Sequence, residues 1–184
     1  LSLLAKRQLD SAREENQKLL RKQANYLPYE LLRADIELEA GKVAASLDLY
    51  KTTARNHPDS SAAVLRAASA LLKGKRPREA RDLLDKGVRS HNDDPNFYKL
   101  LAQAAGEAGQ PLEAHRAFGE FYYRTGQPRA AVEQLEIAKR YANGKFYYLS
   151  SLDARIQEIQ ESSGLLFKEI ANKPETPQKK KPKP

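Results

Sequence analysis

LPYELLRADIELEAGKVAASLDLYKTTARNHPDS, residues 27–60, is followed directly by SAAVLRAASALLKGKRPREARDLLDKGVRSHNDD, residues 61–94. Laid over one another, the two blocks put Ala34 on Ala68 and Ser46 on Ala80, a step of 34 residues. The step continues outward. Ala102 extends the first column, and Ala12 and Ala114 extend the second. A third column of large residues, Tyr50, Leu84 and Phe118, sits four places after the second. Gly41 and Gly109 lie two steps apart, with Lys75 between them and Arg7 one step before. Three columns sharing one period identify a repeat array.

Within each period the apolar spacing is helical. Leu31, Leu32, Ile36 and Leu38 pattern one helix over Pro28–Ala40, and Leu47, Leu49 and Tyr50 a second over Ala44–Arg55. Gly41, Gly109 and Gly126 suit left-handed helix ends. Asp94-Pro95 reads as an N-cap followed by proline in the first turn, and Asp59-Ser60 after Pro58 is another start signal. No stretch alternates long enough for a sheet. Two antiparallel helices approach to about 8–10 Å where small side chains mark the crossing. The expected fold is therefore all-α, a right-handed solenoid of helix hairpins closed by a C-terminal helix.

The expected units are a partial repeat over 1–26, repeats over 27–60 and 61–94, and a longer unit over 95–145. In this last unit Gly109-Gln110-Pro111 and Gly126-Gln127-Pro128 are only 17 apart, half a step. The helix between them carries Ala114 at the second-helix place and Gly119 at a first-helix place, with Ala131 and Leu135 following as the next second helix. A capping helix over 146–171 has Leu149, Leu152, Ile156 and Ile159 on one stripe.

The chain has 184 residues, 32 Lys+Arg and 24 Asp+Glu, hence a net charge of +8. Half of that excess lies in the segment 172–184, which has five Lys, four Pro and one Glu, and which composition marks as a disordered tail. The remainder is only mildly basic, which removes the motive for a nucleic-acid partner. The longest apolar run is four residues, far short of a membrane span. With neither initiator Met nor leader pattern, Leu1 reads as lying inside a longer polypeptide.

Catalytic patterns are missing. There is no Cys, no H-E-x-x-H, no G-x-S-x-G and no phosphate loop. His57, His91 and His115 are 34 and 24 apart, and His91-Asn92-Asp93-Asp94 reads as an inter-repeat turn rather than a metal site. The basic run Lys73–Arg81 falls on a turn and reads as solvated. Ten of the 14 Phe and Tyr lie between Phe97 and Tyr148. The consecutive Phe121, Tyr122 and Tyr123 point 100° apart on a helix, so they cannot all enter one core. Sealing the array's end is their plainer role; Tyr123 on a binding surface is the functional one.

A 34-residue hairpin unit with A-x-x-x-[large] on its second helix, and Pro58 at its end, resembles the tetratricopeptide repeat (TPR) over residue 1 to about 140. The consensus Trp and Tyr of the first helix are absent, so these are degenerate units. The run EAHRAFGEFYYRTGQPRAAVEQLEIAKR (residues 113–140), with GKFYYLSSLDARIQEI (144–159) after it, resembles the C-terminal TPR region of periplasmic zinc metallopeptidases of the β-barrel assembly-enhancing type. That resemblance spans nearly the whole folded chain; the Lys/Pro tail is no part of it. It implies a periplasmic location and an upstream protease domain holding the zinc, with no cofactor in this chain. It also implies polypeptide clients, outer-membrane assembly components among them.

In TPR arrays the first helices line the concave face. By register this assigns a peptide groove to Leu31, Asp35, Leu38, Leu65, Leu72, Lys99, Gln103, Arg116, Glu120, Tyr123 and Arg124, with Ser69 beside them. The sequence thus reads as a non-catalytic protein-binding scaffold. The rival reading is a stand-alone TPR adaptor or lipoprotein of envelope assembly or secretion.

Overall fold

The computed structural model describes residues 3–164, with side chains from residue 7 onward. The expected tail at 172–184 and the end of the expected capping helix lie outside the described residues. Those residues form nine helices: α1 (Leu3–Lys22), α2 (Leu27–Glu39), α3 (Val43–Asn56), α4 (Ser61–Lys73), α5 (Pro77–Ser90), α6 (Pro95–Glu107), α7 (Pro111–Arg124), α8 (Pro128–Arg140) and α9 (Phe146–Ser162). No strand occurs among them. The architecture is a TPR-like solenoid in which each helix packs on the next.

Local chemistry sets these boundaries. Ser60 caps α4 by accepting from the Ala63 N–H at 3.3 Å, and Asp94 caps α6 by accepting from the Asn96 N–H at 2.9 Å. Proline stands in the first turn of α2, α5, α6, α7 and α8, where its missing N–H costs nothing. The turns inside the hairpins repeat one geometry. The Gly41 N–H donates to the Leu38 carbonyl and the Lys42 N–H to the Glu37 carbonyl, both at 2.9 Å. The same pair of bonds recurs at Lys75, Gly109 and Gly126. It demands a left-handed residue, with φ of 76° at Gly41, 75° at Gly109 and 74° at Gly126.

Lys75 is the exception to the glycine rule, with φ of 58°. An L-residue there carries about 1–2 kcal/mol of strain, against about 0.5–1 kcal/mol of added chain entropy for glycine. Lys75→Gly is therefore expected to stabilise the array by about 0.5–1 kcal/mol. The urea midpoint should rise with an unchanged slope; a fall would overturn this account of the turn.

The small-residue columns lie where the helices cross. Ala34, Ala68 and Ala102 are buried, as are Ser46, Ala80 and Ala114. The Ser46 hydroxyl also donates to the Ala34 carbonyl at 2.8 Å across the first hairpin. Ala12 differs. It is exposed, because α1 packs chiefly on α2, through Arg13–Glu37 and the Asn16 amide on the Tyr29 carbonyl.

α7 carries small residues on two sides. Ala114 approaches Gly106 of α6. On the other side, a Cβ at Gly119 would lie 2.8 Å from the Leu135 side chain and 3.3 Å from the Ala131 carbonyl. The helix starts meanwhile keep alternating without a gap. The half-step in sequence therefore marks a helix that packs closely against both neighbours. It also divides the core. One apolar cluster runs from Leu31 to Ala104 through α2–α6; a second joins Leu135, Leu152, Ile156 and Ile159 of α8 and α9.

Candidate functional site

Helices two apart touch, which sorts the array into two layers. Arg66 pairs with Asp35 between α4 and α2. Lys51 pairs with Glu79 at 2.7 Å between α3 and α5, and Arg155 pairs with Glu120 at 2.8 Å between α9 and α7. Even-numbered helices thus form one face and odd-numbered helices the other.

Recesses lie between same-layer neighbours. On the even face, α2 and α4 flank a cavity of about 260 Å³ lined by Asp35, Leu38, Arg66, Ser69 and Lys73, with Tyr50 of α3 as its floor. The Tyr50 hydroxyl donates to Asp35; burial first, then this carboxylate, push the phenol above its ordinary range. On the odd face, two recesses lie one repeat apart. One, about 410 Å³, lies between α3 and α5, with Lys51, Arg55, Glu79 and Leu83 over Leu71 of α4. The next, about 300 Å³, lies between α5 and α7, with Arg81, Asp85, Val88 and Arg116 over Tyr98 and Leu101 of α6. Each couples an apolar floor to a charged rim.

At the edge of the α5/α7 recess, Glu120 is held between two guanidiniums. Arg155 donates from Nε to Oε1 and from Nη2 to Oε2, each at 2.8 Å, and Arg124 donates from the other side. Burial pushes the Glu120 carboxyl up, but the hydrogen bonds from Arg155 and Arg124 outweigh it and hold the group below the usual carboxylate range. The hydrogen bond to Glu120 likewise raises the Arg155 guanidinium above its ordinary value, against the opposing pull of burial. Both arginines also cover aromatic rings: Arg124 lies 4.1 Å above Tyr98 and Arg155 4.7 Å above Tyr123. Arg124 donates further to the Asn92 carbonyl at 2.6 Å. The hub thereby fastens α7 to α9 and to the turn before α6.

The eleven residues assigned by register do not form one wall. Leu31 and Leu72 are buried in the N-terminal core, and Leu65 packs against it. Asp35 and Leu38 line the even-face recess. Lys99 and Gln103 stand exposed on α6, with Gln103 donating to Glu107. Arg116 and Glu120 line the odd-face recess, while Tyr123 and Arg124 are tied into the hub. Treating α7 as a first helix carried the last four across to the odd layer. The α3/α5 recess was missed entirely. A readable signal was Lys51, one step before Asp85, which stands on the rim of the α5/α7 recess.

The histidines are engaged structurally. His91 faces the Gly87 and Asp59 carbonyls at 3.2 and 3.1 Å and stacks on Phe97. His57 pairs with Glu30 at 3.1 Å, and His115 bonds Gln134 at 2.9 Å. Among the described residues, no three His, Asp or Glu side chains converge as metal ligands, and no helix is long and apolar enough to cross a membrane.

A family profile described as tetratricopeptide repeat matches residues 37–104. The β-barrel assembly-enhancing protease of Escherichia coli K12 is 28% identical over 152 residues, which is 83% of this chain and 31% of that protein. The protein of the same name from Yersinia pestis is 27% identical over 160 residues, 87% of this chain and 33% of that one. The chain thus spans about a third of the length of these relatives. Among solved structures, MamA from residue 41 onward of Desulfovibrio magneticus RS-1 superposes with a TM-score of 0.57 at 16% identity, covering 84% of this chain and 86% of that one. Another MamA crystal structure gives 0.56 at 15% identity, covering 89% and 93%. These likenesses concern the fold alone. Hairpins stepping by 34 residues, with small residues at their crossings, are built like tetratricopeptide repeats, whose profile matches residues 37–104, and the chain is similar in sequence to a segment of the β-barrel assembly-enhancing proteases.

Proposed function

We propose that the chain is a non-catalytic polypeptide-binding scaffold. In this reading it is the C-terminal TPR region of a periplasmic zinc-dependent metalloendopeptidase that serves outer-membrane protein assembly or quality control. The zinc and the hydrolytic residues belong to an upstream domain. This region acts by recruitment, raising the local concentration of a client near the protease. The observation that carries the reading is the pair of odd-face recesses, one repeat apart, each with an apolar floor and a charged rim. Successive side chains of one extended polypeptide can enter them in turn. The sequence similarity is what supports the proposed parent and compartment.

The test uses an outer-membrane β-barrel chain diluted from urea and a photo-crosslinking residue placed at Leu83 or Arg116. Crosslinks are expected there and should fall severalfold when Arg81→Glu and Asp85→Arg are combined. Crosslinking no stronger than from Lys86, an exposed position on α5 outside both recesses, would overturn the assignment. The parent is tested separately. The reading frame upstream should encode H-E-x-x-H; a lipobox there would favour the stand-alone adaptor.

A further inference from the structure

At the α8–α9 junction the surface departs from the rest of the array. Phe146 is 83% exposed, Tyr147 80% and Tyr141 45%. No other large apolar side chain of the described surface exceeds 41%. These three stand within seven residues, at the turn between the last two described helices. Isolated exposed apolar residues need no explanation, but such a cluster marks contact with something else.

The patch is held in shape. Tyr141 stacks on His115 at 5.6 Å and 7°. Asn143 and Gly144 follow with φ of 49° and 72°, two consecutive left-handed residues that lead the chain into α9. Tyr147 meets Tyr148 edge-on at 5.9 Å. Beside them lies a recess of about 280 Å³, bounded by Pro111 at the start of α7, by Tyr141 and by Lys145 and Tyr148. It has room for one large side chain. One cation, Lys145, borders it, and a second, Arg140, precedes Tyr141 in the chain. Lys145 is exposed, its ammonium 5.8 Å from the Tyr148 ring. Arg140 is also exposed and forms no ion pair among the described residues. Glu113 is the acid on the rim.

We propose that this junction is a second docking site, separate from the inter-helix recesses, for a peptide segment carrying an aromatic or large aliphatic residue next to carboxylates. The recess and exposed rings take the apolar side chain; Lys145 and Arg140 take the acids. A recess favours a projecting side chain over a lipid surface, which would need only exposed rings and cations. The inference rests on the reading of the chain as a polypeptide binder, but not on which face binds the main client.

The test is fluorescence anisotropy with three labelled peptides, E-E-F-E-E, E-E-A-E-E and K-K-F-K-K. The first should bind best, and more weakly at high salt. Phe146→Ser with Tyr147→Ser should weaken it about tenfold or more. Lys145→Glu should weaken it and remove most of its salt dependence. Both changes are at exposed positions, so circular dichroism should match the parent chain. Equal binding by the double variant, equal binding of K-K-F-K-K, no binding of E-E-F-E-E, or capture by anionic phosphatidylglycerol vesicles in its place would overturn the proposal. Loss of the β-barrel crosslink at Arg116, with peptide binding here retained, would instead strike the recess assignment alone.

Discussion

Phe97→Ala is expected to destabilise the array by about 3–5 kcal/mol, a large share of the roughly 5–15 kcal/mol that holds an ordinary domain together. The ring is fully buried. It sits where a side chain at Gly87 would otherwise be, against Val64, and stacks on His91 at 4.8 Å. It thereby joins α4, α5 and α6 at one point of the N-terminal core. Gly87→Ala tests the same contact from the other side. Its methyl gains about 1 kcal/mol of helix propensity but must displace the ring, so a net loss of about 1–2 kcal/mol is expected. Combining the two changes gives a sharper result. The methyl introduced by Gly87→Ala would occupy part of the space the Phe97 ring leaves, so the double variant should be less destabilised than the sum of the singles. Simple additivity in urea unfolding would show that the two residues do not share one volume.

How much of this was readable beforehand differs between backbone and site. The hairpins were legible because each crossing needs a small residue and each turn a left-handed one, and both demands recur every 34 residues. Lys75 occupies such a turn and kept the period only because its neighbours did. Ala12 shares the phase of Ser46 but not its burial, since phase records a repeat and not whether a partner helix is present. The site was harder. Asp35 and Arg116 were found because they are charged and in register. Leu31 and Leu72 were assigned to the same wall, though apolar residues of a first helix divide between groove and core in a way that periodicity alone does not resolve. The odd-face recesses depend on side chains from three helices meeting, as Val88, Leu101 and Arg116 do. The hub around Glu120 joins residues 35 apart by geometry that no spacing rule encodes.

That hub gives the other large effect. Glu120→Gln keeps the shape of the side chain but leaves Arg124 and Arg155 facing one another without their shared counter-charge. The carboxylate is largely shielded, with 18% of its side chain exposed. Breaking a buried pair from one side costs about 3–5 kcal/mol; discounted for partial exposure, a loss of about 2–4 kcal/mol at neutral pH is expected. The pH dependence follows from direction. Folding lowers the Glu120 proton affinity, so its contribution is complete above the ordinary carboxylate value of about 4.3. It disappears as the pH falls through the lower folded value. The gap between the parent chain and Glu120→Gln should therefore be widest at pH 7 and close below the usual carboxylate range, while other titrating carboxylates cancel in the difference. Loosening should reach function as well, because Arg155 is the tie that sets α9 against α7 beside the odd-face recess. The variant should crosslink less client from Arg116 at a temperature where its circular dichroism is unchanged. A gap that stays constant from pH 7 to pH 3 would mean that shape, and not charge, is what Glu120 contributes.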